Sequence, residues 1–122
     1  MSSDVTIWHY PRCSKSRKAL ALLRDQGLDV TVRRYLEDPP ETATLEEAIE
    51  ELGVAARELV RTHEELYSEL DIGDREDDMD HGDWIELLAE HPKLLQRPLV
   101  FTDTGAVVGR PPERVLKLFS ES

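Results

Sequence analysis

Hydrophobic and polar positions along the chain change their period several times, and each change marks an element. Val5 to Tyr10 is rich in β-formers and is stopped by Pro11, which predicts a first strand. Cys13 or Ser14 then caps a helix running to about Gln26, with Ala19, Leu20 and Leu23 on one face and Gly27 as its stop. Leu28, Val30 and Val32 alternate with Asp29, Thr31 and Arg33, the period-2 pattern of a second strand. Strand, helix and strand in this space form a βαβ unit, so the two strands are expected to be parallel. Asp38-Pro39-Pro40 breaks the pattern. Thr44-Leu45-Glu46-Glu47 fits a capping box, and Leu45, Ala48, Ile49 and Leu52 continue at helical spacing to Gly53. A further helix is expected from near Ala55. Another carries Trp84, Leu87 and Leu88 and stops at Pro92, so residues 41–92 read as helical. Leu99 to Thr102 and Ala106 to Gly109 are strands about an Asp103-Thr104-Gly105 turn. Pro111-Pro112 opens a last helix with Val115, Leu116 and Phe119 on its buried side. The predicted architecture is α/β: one domain over residues 1–122 with a four-stranded mixed sheet and a helical insertion at about 41–92.

Length and composition agree with that picture. With 122 residues, 39% hydrophobic and 34% charged, the chain suits one soluble globular domain. No apolar run approaches the roughly 20 residues of a membrane span. The net charge of −11 makes a poor general binder of nucleic acid or membrane surfaces. Its placement is uneven. Glu64 to Asp83 holds ten acids and one arginine and reads as a solvated helical face or loop. Val5 to Arg24 holds five basic residues and no acid, and the one cysteine, Cys13, sits inside that stretch. A single cysteine rules out an intramolecular disulfide and argues against a cysteine metal cage.

Cys13 lies in His9-Tyr10-Pro11-Arg12-Cys13-Ser14-Lys15-Ser16-Arg17, at the turn from a strand into a helix. A helix N-terminus and nearby cations favour thiolate over thiol, and the same free N–H groups can hold an anion. One loop could thus carry a nucleophile and an oxyanion. A buried structural cysteine is the bland alternative, and the ring of Arg12, Lys15 and Arg17 speaks against it. His9 either polarises the site or is a satisfied strand histidine. Several familiar patterns fail. A phosphatase loop needs arginine at position 19, which is Ala19, and a redox Cys-x-x-Cys needs cysteine at position 16, which is Ser16. The acidic stretch does not fit a calcium loop, and His9, His63, His81 and His91 show no metal-ligand spacing, so no metal is expected. Arg97-Pro98 and Arg110-Pro111 flank the last two strands, and Arg57 and Arg61 are one turn apart. Arginine suits tetrahedral oxyanions because its donors form a planar fork.

Taken in order, His9-x-Pro11-x-Cys13-x-x-Ser16-Arg17, Tyr35-Leu36-Glu37-x-Pro39-Pro40, Arg57-x-x-x-Arg61, His91-Pro92, Arg97-Pro98 and Arg110-Pro111 resemble the glutaredoxin-coupled arsenate reductase family. The resemblance spans about residues 4–119. It implies a thioredoxin-like fold, which agrees with the element order. It also implies that Cys13 attacks arsenate, that Arg61, Arg97 and Arg110 converge to hold the oxyanion, and that His9, Ser14, Ser16 and Arg17 line the substrate site. Tyr10 and Arg12 depart from the Asn and small residue common around the motif. Having no second cysteine, such an enzyme takes its next thiol from glutathione, with glutaredoxin reducing the mixed disulfide; it needs no bound cofactor. A cytoplasmic monomer is expected, with a cis Arg97–Pro98 bond. Two other functions fit the fold: a glutathione-dependent thiol reductase acting on another substrate, and a non-catalytic regulator binding RNA polymerase, as in the Spx branch, which commonly carries Cys-x-x-Cys.

Overall fold

The computed structural model describes residues 5–62, 64–102 and 105–118. They form two compact units, one from the segments ending at Asp38 and beginning at Arg97, the other from Pro39–Gln96.

The first unit is built on β1 (Val5–Trp8), α1 (Ser14–Asp25), β2 (Val30–Arg33), β3 (Leu99–Thr102) and β4 (Gly105–Val108). The sheet order is β2-β1-β3-β4. β1 runs parallel to β2, pairing Val5 with Val30 and Trp8 with Arg33. It runs antiparallel to β3, which pairs antiparallel with β4 in the register Leu99 to Val108. Alternation along β1 sends Val5 and Ile7 into the core with Ala19, Leu20 and Leu23 of α1, Val100, and Val115 of the closing 3-10 helix. Each large aliphatic side chain buried there contributes about 1.5–3 kcal/mol. Trp8 points the other way and meets Phe101 with ring centroids 5.1 Å apart. Gly27 takes φ 76°, a backbone state open to glycine, and ends α1 with its N–H on the Arg24 carbonyl at 2.9 Å.

In the second unit α2 (Thr42–Leu52) packs on α5 (His81–Glu90). The core of this unit includes Leu45, Ile49, Trp84, Leu88 and Leu94, all buried. The strip after a 3-10 helix at Ala56–Leu59 lies antiparallel to the strip before Arg97. Arg61 N–H donates to the Leu94 carbonyl at 2.7 Å and Gln96 N–H to the Leu59 carbonyl at 2.7 Å. The acidic run folds as α3 (Glu65–Glu69), α4 (Ile72–Arg75) and a 3-10 turn at Glu76–Asp78, three short helices with mostly exposed acids.

Some boundaries differ from the sequence expectation. β1 ends at Trp8, because the chain turns over Pro11 and the Cys13 N–H closes on the Tyr10 carbonyl at 3.0 Å. The Thr44–Glu47 capping box does not form. α2 begins at Thr42, with Glu41 as its N-cap and no side-chain cap bond, since nothing after Pro40 delays the helix. β4 starts one residue early, at Gly105. The last helix is 3-10, Pro112–Leu118. Phe119 and the Asp103–Thr104 part of the hairpin turn lie outside the described residues. The Arg97–Pro98 bond is cis as expected, and so is Arg110–Pro111, which was not.

Candidate active site

The site grows from the loop joining β1 to α1. Cys13 is the N-cap of α1, with an extended backbone at φ −90° and ψ 120°. Its carbonyl accepts the Arg17 N–H at 3.0 Å, the first helical bond. That geometry leaves the next N–H groups free to face the side chain. Burial pushes the Cys13 thiol up. It is outweighed by hydrogen bonds to the sulfur from the backbone N–H of Ser16 and Lys15, then by a hydrogen bond and the positive charge from the Arg97 side chain, so the thiol lies below its ordinary value. Cys13 is half-buried and its thiol is free.

The thiol is therefore activated, but not by the cations that the sequence put forward. Arg12, Lys15 and Arg17 are exposed. Arg17 Nη1 donates to the Pro11 carbonyl at 2.8 Å, which braces the loop. The donors at the sulfur are backbone N–H groups and one arginine 84 positions away along the chain (97 − 13).

Behind the loop lies a buried polar pair. Ser16 is fully buried and its Oγ stands 2.6 Å from His9 Nδ1. The same Oγ accepts the Tyr10 N–H at 3.1 Å. His9 is lowered from its ordinary value, first by burial and then by the charges of Arg34, Arg24 and Arg17. It is neutral at pH 7 and serves as the fixed partner of Ser16. Ser14, the first residue of α1, is exposed.

Arg97 is buried, with its guanidinium carbon 4.5 Å from the Tyr10 ring centroid. Arg110 is half-buried at the other end of the same hairpin. The β3–β4 register continues past Leu99 and Val108: Gly109 N–H donates to the Pro98 carbonyl at 2.8 Å, so the backbones leading to Arg97 and Arg110 are held together. Arg61 belongs to the helical unit, where its Nε lies 3.6 Å from Glu64 Oε2. Arg57 pairs with Glu76 at 2.9 Å. Two clefts flank His9. The larger, of about 740 Å³, is lined by Arg24, Arg33, Arg34 and Asp38 and leaves out Cys13; the smaller, of about 260 Å³, runs over Tyr10, Pro11 and Arg12. In the larger cleft Arg33 Nε is paired with Asp38 Oδ2 at 3.5 Å. Among the described residues no three metal-binding side chains cluster, and no helix is long and apolar enough to cross a membrane.

Tyr10, noted in the sequence only as a departure from the family motif, sets its ring against the Arg97 guanidinium, a contact the sequence did not predict. Its signal was present as an aromatic ring inside the cysteine loop of a chain with arginine before a proline, but the pairing becomes visible only when β3 lies beside β1.

The sheet order β2-β1-β3-β4, with a helix between its two parallel strands and a cysteine capping that helix, defines a protein of thioredoxin-like fold with a helix-start thiol. Residues 8–118 match the ArsC family, and the chain belongs to it. The chain is 40% identical over 113 residues to an arsenate reductase of Neisseria meningitidis serogroup A, covering 92% of this chain and 95% of that one. It is 43% identical over 119 residues to an uncharacterized protein, YfgD, of Escherichia coli, covering 97% and 98%. Among solved structures, an arsenate reductase from Vibrio cholerae superposes with a TM-score of 0.91 at 42% identity, over 97% of this chain and 99% of that one.

Proposed function

We propose that the protein is an arsenate reductase in which Cys13 is the nucleophile and glutathione and glutaredoxin supply the electrons. The observation that carries this is the Cys13 sulfur at a helix start, held by the N–H groups of Lys15 and Ser16 and by Arg97. The arsenate reductases among its relatives give the substrate class.

The thiolate attacks pentavalent arsenic. An S–As bond forms, an As–O bond breaks, and the oxygen leaves as water after protonation. Arg97 and Arg110 take up charge on the remaining oxygens; Arg61 is assigned the same role on the family motif alone. A glutathione thiolate then attacks Cys13 Sγ. The S–As electron pair passes to arsenic, which leaves as arsenite, and a Cys13–glutathione disulfide remains. Glutaredoxin reduces that disulfide. One cysteine in the chain is what makes the second thiol external.

Purified protein with glutathione and glutaredoxin should consume reductant only when arsenate is added, and Cys13→Ser should abolish this while keeping the fold. Thioredoxin without glutathione should not support turnover. Full activity under that condition would overturn the coupling, and no arsenate-dependent consumption in the complete system would overturn the substrate.

A further inference from the structure

Tyr10 touches the site in three ways. Its N–H donates to Ser16 Oγ at 3.1 Å, and its carbonyl accepts the Cys13 N–H at 3.0 Å. Its ring lies 4.5 Å from the Arg97 guanidinium carbon. Any residue could make the two backbone contacts. Only the third needs the side chain.

We propose that Tyr10 is a positioning residue whose ring holds the Arg97 guanidinium in the orientation from which it donates to the Cys13 sulfur. A guanidinium on a long side chain has many rotamers. A flat aromatic face fixes its plane and leaves its edge N–H groups free to bond elsewhere. Arg97 is only 7% exposed, and a cation drawn out of water is attracted more strongly to the ring. The groups facing the sulfur within this unit are the N–H of Lys15, the N–H of Ser16 and the Arg97 side chain. The first two are fixed by α1 and do not depend on the Tyr10 ring. His9, neutral, reaches this loop through Ser16 Oγ. Arg97 is thus the movable donor, and Tyr10 is what it rests on. If Arg97 also holds the oxyanion, as the reductase reading has it, the same ring sets thiol acidity and oxyanion affinity together.

Cys13 alkylation rate against pH tests this in Tyr10→Phe, Tyr10→Leu, Arg97→Gln and the double variant Tyr10→Leu/Arg97→Gln. Tyr10→Phe keeps the ring and should keep the thiol pKa. Tyr10→Leu should raise it by about 0.5–1 unit and raise the arsenate KM about three- to tenfold, with kcat changed less. On the Arg97→Gln background Tyr10→Leu should add nothing. An unmoved thiol pKa in Tyr10→Leu would overturn the proposal, and so would a shift of equal size on the Arg97→Gln background. Should Tyr10→Leu not fold, Tyr10→Met removes the ring face with more bulk retained and is read by the same two outcomes. The titration needs no arsenate. A shifted thiol in a protein without arsenate turnover overturns the reductase reading and leaves the role of Tyr10 standing, whereas turnover with an unmoved thiol overturns that role alone.

Discussion

Gly109→Ala tests how tightly the end of the hairpin holds Arg97. A Cβ at position 109 would lie 2.8 Å from Pro98 Cγ and 3.2 Å from Val115 Cγ1, where ordinary contact begins at 3.4 Å. Neither neighbour can swing away easily. Pro98 is a ring closed on its own backbone, and Val115 is fully buried against the core. The strands must part by several tenths of an ångström, an overpacking cost of about 1–3 kcal/mol. The Gly109 N–H to Pro98 carbonyl bond, 2.8 Å long, is stretched as they part, with up to about 1 kcal/mol more lost. Alanine restricts the unfolded chain and returns about 0.4–1 kcal/mol. From the middle of these ranges the net expectation is a loss of about 2 kcal/mol in urea unfolding. Gly82→Ala is the control: this exposed glycine of α5 has its nearest neighbour at 3.5 Å, and alanine there should be neutral or stabilise by up to about 1 kcal/mol. Because Pro98 follows Arg97 directly, Gly109→Ala should also raise the Cys13 thiol pKa. A Gly109→Ala protein within about 0.5 kcal/mol of the wild type would refute the steric reasoning. A destabilised one with an unchanged thiol would show that the Arg97 contact does not depend on the hairpin.

Ser16→Ala removes the oxygen shared by His9 and the Tyr10 N–H, both buried or half-buried, and should destabilise by about 1–3 kcal/mol in urea unfolding. It keeps the backbone N–H at position 16, so the thiol pKa should move less than in Arg97→Gln; an equal or larger move would make the hydroxyl, not the helix start, the source of the effect. Arg97→Gln should raise the thiol pKa by about 1 unit in an alkylation profile, and Arg97→Lys should recover little, since a point charge lacks the planar fork. His9 has its folded pKa lowered by burial and by Arg34, Arg24 and Arg17, so the unfolded chain binds the proton first as pH falls. Stability should therefore decline as pH drops below about 6.5, the unfolded value, towards the lowered folded one, and His9→Asn should flatten that slope below about pH 6.5; an unchanged slope would remove His9 as its source.

Most of the sheet was legible because its signals are local. Val5 and Ile7 alternate with Thr6 and Trp8, Gly27 stops α1, and Leu99–Thr102 falls where its β-branched and aromatic run predicts. Helix starts were less legible. Thr44 fits a capping box by spacing, yet α2 starts three residues earlier, with Glu41 as its N-cap, because a cap motif records a possible bond and not the competition from Thr42 and Ala43, which join the helix at little cost. Cys13 was legible as a helix-start thiol. Its activators were not. Proximity in sequence favoured Arg12, Lys15 and Arg17, but side chains at successive positions of a loop and first turn point outward in different directions, and solvent screens them.

What fixes the chemistry is a strand pairing. β3 runs antiparallel beside β1 with Leu99 opposite Trp8, so the residues just before Leu99 meet the residues just after Trp8. Arg97 and Tyr10 each stand two positions beyond that pair, on adjacent strands. Register thus carries Arg97 towards the Tyr10 ring, and the turn over Pro11 brings Cys13 back beneath the same guanidinium. A one-residue slip of β3 would turn Val100 out of the core and move Arg97 off the ring together, because strand side chains alternate faces. The buried contacts of Val100 and Ile7 therefore hold the active-site register as well as the fold. It follows that core substitutions that loosen β3, Val100→Ala among them, should raise the Cys13 thiol pKa although Val100 is an apolar member of the buried core cluster. A Val100→Ala protein that loses about 1–3 kcal/mol of stability and keeps its thiol profile unchanged would show that Tyr10 and Arg97 stay paired without the register that the core supplies.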